Sequence, residues 1–175
     1  MSSGSNQHNQ IAASTPNLAD RSIAEFFSDP ANANSVATNA REKGREGLRL
    51  AMLASSQPTM PIDQATGKPF PMKWYYCHAV PLVNQQTGEV DDRVRIVLIS
   101  PDGQTVSCCS TGVLDSLDMI RRYEGDGPYD PPIMVKFAEQ RTRQNRKILR
   151  LEVCYGDEQN PPTADGARDQ RRRSG

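Results

Sequence analysis

Between Met72 and Tyr155 the apolar residues recur with two different periods. In "VDDRVRIVLIS" Val94, Ile96 and Leu98 share one side, and Arg93, Arg95, Val97 and Ile99 share the other, the period-two signature of a strand. The preceding "MKWYYCHAVPLV" is aromatic and β-branched, "NQQTGE" between the two supplies turn residues, and after a "PDG" turn "QTVSCCS" reads as a third strand. The period then lengthens. In "STGVLDSLDMIRRYEG" Val113, Leu117 and Ile120 fall on one stripe with Leu114 and Tyr123 beside it, which predicts a helix capped by Ser110 or Thr111 and ended by Gly125. A Pro-rich "DGPYDPP" leads to a fourth strand over 133–138, and a polar loop separates it from a fifth over about 148–155.

Upstream the pattern is weaker. "ADRSIAEFFSDP" predicts a short helix with Ile23, Phe26 and Phe27 on one side, stopped by Pro30. "REKGREGLRLAMLASS" gathers Leu48, Leu50, Met52 and Leu53 into an amphipathic helix weakened by Gly44 and Gly47, whose apolar stripe must be buried on the chain's own strands or on another subunit. Four prolines in 57–72 argue against regular structure there. The chain thus divides into a disordered arm (1–19), a helical extension (20–56), a Pro-rich linker (57–71), a strand-rich domain (72–156) and a disordered tail (157–175).

Three antiparallel strands, a helix, then a two-stranded hairpin is the element order of the OB-fold. The predicted fold is therefore mainly β, a five-stranded Greek-key barrel with a helix between the third and fourth strands, and an α+β sandwich is the rival.

Composition narrows the chemistry. The 175 residues carry 21 basic and 21 acidic side chains, so the chain is not basic throughout, and only the placement of charge is informative. Mean hydropathy of −0.66 fits a packed domain with polar tails. No apolar run reaches the roughly 20 residues that span a bilayer, and no charged-then-apolar leader opens the chain, so a soluble cytoplasmic protein without membrane contact is expected. Cys77, Cys108, Cys109 and Cys154 form no CxxC pair and the histidines add no ligand spacing, so neither zinc nor another cofactor is expected.

Charge is concentrated in one place. From Lys136 to Arg150 six cations (Lys136, Arg141, Arg143, Arg146, Lys147 and Arg150) face one acid, Glu139, a local balance of 6 − 1 = +5. A charged hairpin tip can simply discourage edge pairing. Alternation, however, puts Lys136 and Arg150 opposite the apolar face of their strands, as it does Arg95, so three strands would extend the loop into a cationic patch suited to phosphates. "KWYYC" adds aromatic rings, with Trp74 and Tyr76 expected outward as base-stacking platforms and Tyr75, Cys77 and Ala79 inward. Cys77 and His78, adjacent in a strand, point to opposite faces and form no catalytic pair, and no phosphate-cradling glycine motif occurs, so the chain reads as a binding module and not an enzyme.

The run "TGEVDDRVRIVLISPDGQTVSCCSTGVLDSLDMI" followed by "PPIMVKFAEQRTRQNRKILRLEV" resembles the single-stranded DNA-binding proteins of bacteriophages and mobile elements, over about residues 73–155. The resemblance implies sequence-tolerant binding of single strands in replication or recombination, self-association into a homo-oligomer, and contacts with replication proteins. The acidic tip with a terminal Phe, found in the bacterial housekeeping relatives of such proteins, is replaced here by the basic "ARDQRRRSG", which puts recruitment of replication proteins through such a tip in doubt. The expected partner is single-stranded DNA, with RNA not distinguished from it. A protein–protein adaptor with the same barrel is the alternative.

Overall fold

The computed structural model describes residues 21–40 and 43–154. The expected disordered arm and tail, with Tyr155 of the fifth strand, lie outside them. Among the described residues seven strands form two open antiparallel sheets, accompanied by four α-helices. The strands are β1 (Val36–Thr38), β2 (Pro69–Met72), β3 (Trp74–Val83), β4 (Val90–Ile99), β5 (Thr105–Cys108), β6 (Ile133–Arg141) and β7 (Lys147–Val153). The helices are α1 (Ile23–Ser28), α2 (Gly44–Ser56), α3 (Ile62–Ala65) and α4 (Thr111–Glu124). One sheet has the order β1-β3-β4-β5 and the other β2-β6-β7.

The expected closed barrel is not formed. Among the described residues no ladder joins β5 to β7, and the first expected strand is divided at Lys73, with β2 in one sheet and β3 in the other. The fold is consequently mixed α/β and not mainly β. Three of these elements, β1, β2 and α3, have no counterpart in the sequence reading, and both β2 and the one-turn helix α3 lie in the Pro-rich segment where no regular structure was expected. β1 is three residues among Asn and Ser, too short to show a period, and is held by pairing Val36–Thr38 with Tyr76–His78. β2 is an edge strand, where Pro69 and Pro71 share one parity and their missing N–H groups interrupt no ladder.

Both sheets turn one face to a common core. Tyr75, Cys77, Ile96, Leu98 and Val106 come from the first sheet, and Phe70, Met72, Val135, Phe137 and Leu151 from the second. α4 enters with Val113, Leu114, Leu117 and Ile120, on the stripe its period predicts. Ser110 caps it by accepting from the Val113 N–H, and Gly125, at φ 83°, follows its last turn. α1 begins at a capping box made by Ser22 and Glu25 and buries Ile23 and Phe26 in the same core. Asp118 of α4 fixes it there, accepting from the Ile23 N–H at 3.0 Å while receiving Arg121 Nη1 at 2.8 Å. Arg121 Nε reaches Asp126 at 2.7 Å, so the buried guanidinium is shared between two carboxylates.

α2 covers the other face of the first sheet. It approaches with Gly47, Ala51 and Ala54, spaced one to two turns apart, over Tyr76, Val97 and Ile99. A Cβ on Gly47 would collide with the Tyr76 hydroxyl, so the small residues set the closeness of the contact. The apolar stripe of the sequence reading is therefore not what packs on the sheet. Met52 and Leu53 are 62% and 58% exposed.

Candidate nucleic-acid interface

The β6–β7 hairpin is the most cationic part of the described chain. Its tip is a tight five-residue closure. The Asn145 N–H donates to the Thr142 carbonyl at 2.8 Å, the Thr142 N–H donates to the Arg146 carbonyl at 2.9 Å, and Asn145 takes the left-handed conformation at φ 59°. This is a type I turn closed by one αL residue, and Asn tolerates that position. Arg141 donates to Asn145 Oδ1 at 2.6 Å, and Lys147 lies 3.0 Å from Glu139. Among the described residues no carboxylate is within ion-pair reach of Arg143, Arg146 or Arg150. Lys136 stands on the outer face of β6 and meets Glu152 across the strand pair at 3.9 Å.

Arg95 is elsewhere. It lies on the outer face of β4, its Nη1 donating to the Ser55 carbonyl at the end of α2, and its Nε is buried without a hydrogen-bond partner among the described residues. The expected patch spanning three strands is thus not assembled, because Lys136 and Arg150 face outward from the second sheet and Arg95 is enclosed beneath the helix that covers the first.

The two expected stacking residues share the face that strand parity assigned them, opposite Tyr75 and Cys77. That face is under α2. Tyr76 is only 2% exposed, which removes it as a platform for a base. Trp74 is half-buried at the side of a groove of about 210 Å³, with Leu50, Leu53, Ile99 and Thr59 among its walls. Lys43 Nζ lies 4.1 Å and Lys73 Nζ 5.0 Å from the indole centroid, within cation–π range. Neither lysine was singled out from the sequence, although Lys73 is next to Trp74 in the chain.

Position along α4 separates the indole from the hairpin. The first turn of the helix meets the hairpin, as Ser110 Oγ donates to the Leu149 carbonyl at 3.0 Å and a side chain at Gly112 would strike the Leu149 carbonyl and Arg150. The far end meets the start of β3. There Tyr75 donates to Asp126, and the Lys73 carbonyl accepts from the Tyr129 N–H. Fourteen residues of helix lie between, about 20 Å at a rise of roughly 1.5 Å each.

The same first turn of α4 borders the base of the β3–β4 ribbon, since Asp92, Arg93 and Val94 line one cavity with Cys109, Ser110 and Thr111. Both hairpins therefore leave the body of the protein near one end of α4. Cys77 is sealed in the core, where burial pushes its thiol well up, and His78 pairs across the sheet with Arg95, where burial and that cation hold the imidazole below its usual value. Among the described residues no three His, Cys, Asp or Glu side chains come together as a metal site needs, and no helix is long and apolar enough to cross a membrane.

Comparison with protein families, with characterised proteins and with solved structures finds no match to this chain.

Proposed function

We propose that the protein is a non-catalytic binding module for single-stranded nucleic acid, in the first instance DNA, which it holds by the phosphate backbone through the β6–β7 hairpin. The observation that carries the reading is the exposed hairpin whose Arg143, Arg146 and Arg150 meet no carboxylate among the described residues. Exposed guanidinium groups in that state neutralise phosphates and release counterions without reading sequence.

Connectivity supports the same reading. The strands β3-β4-β5, then α4, then β6-β7, with β2 paired to β6, follow the OB-fold order in an open form. In that fold the loop between the last two strands embraces the nucleic acid, and here it is the loop with the cations. The outer face of β4 and β5, the other surface such folds use, is occupied by α2, so the hairpin makes the principal contact. Trp74, about the length of α4 away, lies outside it. The resemblance to phage and mobile-element single-stranded DNA-binding proteins agrees with this role, which would be to protect exposed strands in replication or recombination in the host cytoplasm.

The test is a titration of labelled oligo-dT by fluorescence anisotropy at several salt concentrations, with duplex and RNA of equal length as competitors. Binding should weaken steeply with salt, with a log–log slope of about −0.7 for each phosphate contact. A flat salt dependence, or equal competition by duplex, would overturn the proposal.

A further inference from the structure

Two exposed surfaces carry apolar side chains that the described residues leave uncovered, and they are opposite in charge. The first is the outer side of α2. At 100° per residue, Arg45, Arg49, Met52 and Leu53 fall on the side away from Gly47, Ala51 and Ala54. Lys43 lies over the Trp74 ring on the sheet side, so the charges of the outward side are those of Arg45 and Arg49, with Glu46 at its edge.

The second is the free end of the β3–β4 ribbon. β1 covers β3 only at Tyr76–His78, and β5 covers β4 only at Ile96–Ile99. Residues 80–83 and 90–93 therefore project as two paired strands that, among the described residues, have no third strand on either side. An isolated pair is marginal in water unless something packs on it. Leu82 stands beside Asp91 and Val83 beside Val90, the two valines 62% and 64% exposed. From Val80 to Arg93 the charges are Glu89, Asp91 and Asp92 against Arg93, a balance of 1 − 3 = −2. Arg93 is turned back onto Asp91 at 2.6 Å, which leaves Glu89 and Asp92 to face a partner.

We infer that the β3–β4 arm of one copy docks on the outer face of α2 of another copy. The occupant is chosen by complementarity. An apolar surface edged with arginines is matched by an apolar surface edged with carboxylates, and the chain carries both while its net charge is zero. The contact joins two different patches, so it is heterologous and can run from copy to copy. It buries Met52 and Leu53, which the fold leaves in water, and it supplies the arm with the packing a lone ribbon lacks. It does not depend on nucleic acid and stands or falls separately from the hairpin's role.

The experiment uses the full chain without nucleic acid, in sedimentation velocity and light scattering over a concentration series. One variant disables the arm (Val90→Arg with Asp92→Arg, which share one face of the ribbon) and another disables the helix face (Met52→Glu with Leu53→Glu). All four positions are exposed, and circular dichroism verifies that both variants fold. The wild-type chain should form assemblies that grow with concentration, and each variant alone should associate at least about tenfold more weakly, as loss of a central interface side chain typically does. An equimolar mixture of the two should form one-to-one dimers and stop, because only one intact arm and one intact helix face can meet. A wild-type chain still monomeric at about 100 μM, where even weak specific contacts are populated, would overturn the inference and leave the α2 face to a different protein or to the chain's own termini. So would variants that assemble like wild type, or a mixture that does not pair.

Discussion

Arg95 donates from Nη1 to the carbonyl of Ser55 at 2.6 Å, and Ser107 Oγ reaches the same oxygen at 3.3 Å. Ser55 lies in the last turn of α2, where carbonyls lack a partner within the helix. A cation from β4 thus caps a helix C-terminus and is attracted by its dipole. The side chain that alternation presented as a phosphate contact holds α2 onto the sheet.

Removing that tie should free the end of the helix. Arg95→Met keeps the apolar stem but loses the charge-assisted bond, and should cost about 1–2 kcal/mol in denaturant unfolding. Amide exchange over residues 50–57 should speed up more than exchange in β6. Unchanged stability and exchange would show that packing alone holds α2.

Gly47 tests the other end of the same contact. Gly47→Ala places a methyl against the Tyr76 hydroxyl and Lys43. The gain in helix propensity should be outweighed by overpacking, a net loss of about 1–3 kcal/mol. Gly44→Ala is no control, because Gly44 has φ 51°; Ser56→Ala, at the exposed end, should be nearly neutral.

Asp118 joins α1 to α4. Asp118→Ala leaves the buried Ile23 N–H without its acceptor and Arg121 with Asp126 alone, a loss of about 2–4 kcal/mol by thermal or chemical unfolding. Asp118→Asn keeps an acceptor and should lose less. Burial holds the Asp118 carboxyl above its usual value of 3.8 against the pull of the Ile23 N–H and Arg121. The folded state therefore binds this proton more readily than the unfolded chain. Its contribution is present in full below pH 3.8 and is lost as pH rises through the elevated folded value.

His78 has the opposite sense. Burial, with Arg95 beside it, lowers the imidazole from 6.5. The unfolded chain takes up the proton first, so stability should fall as pH drops below 6.5, and His78→Gln should flatten that part of the stability–pH curve. An identical curve would show that His78 does not sense the fold.

For the hairpin, Arg143→Gln with Arg146→Gln should leave the melting temperature unchanged and weaken binding of oligo-dT. The log–log salt slope should become shallower by about 1.4, two phosphate contacts at roughly 0.7 each. Loss of affinity with an unaltered slope would mean that these arginines do not touch phosphates.

Much of the local structure was legible along the chain because it depends on near neighbours. The cap at Ser110 and the stop at Gly125 were read this way, and the cap at Ser22 and the turn at Asn145, which the sequence reading did not name, are of the same local kind. Parity in β3 and β4 was equally plain, since a strand has only two sides, and Trp74 and Tyr76 do lie opposite Tyr75 and Cys77. β1 and β2 were not legible. One is too short for a period, and the other is permitted its prolines only by an edge position that a sequence does not display.

What the chain's order of residues determined by itself was the longer elements (β3 to β7 with α1, α2 and α4), the two sides of their strands and the gathering of cations in one hairpin, all consequences of spacing and side-chain type. Tertiary structure alone decided which sides water reaches. α2 lies on the sheet by its small residues because close approach over Tyr76 requires Gly47, and so it covers the aromatic face, engages Arg95 and turns Met52 and Leu53 outward. Whether a face is covered depends on segments distant in sequence, and no local period carries that information.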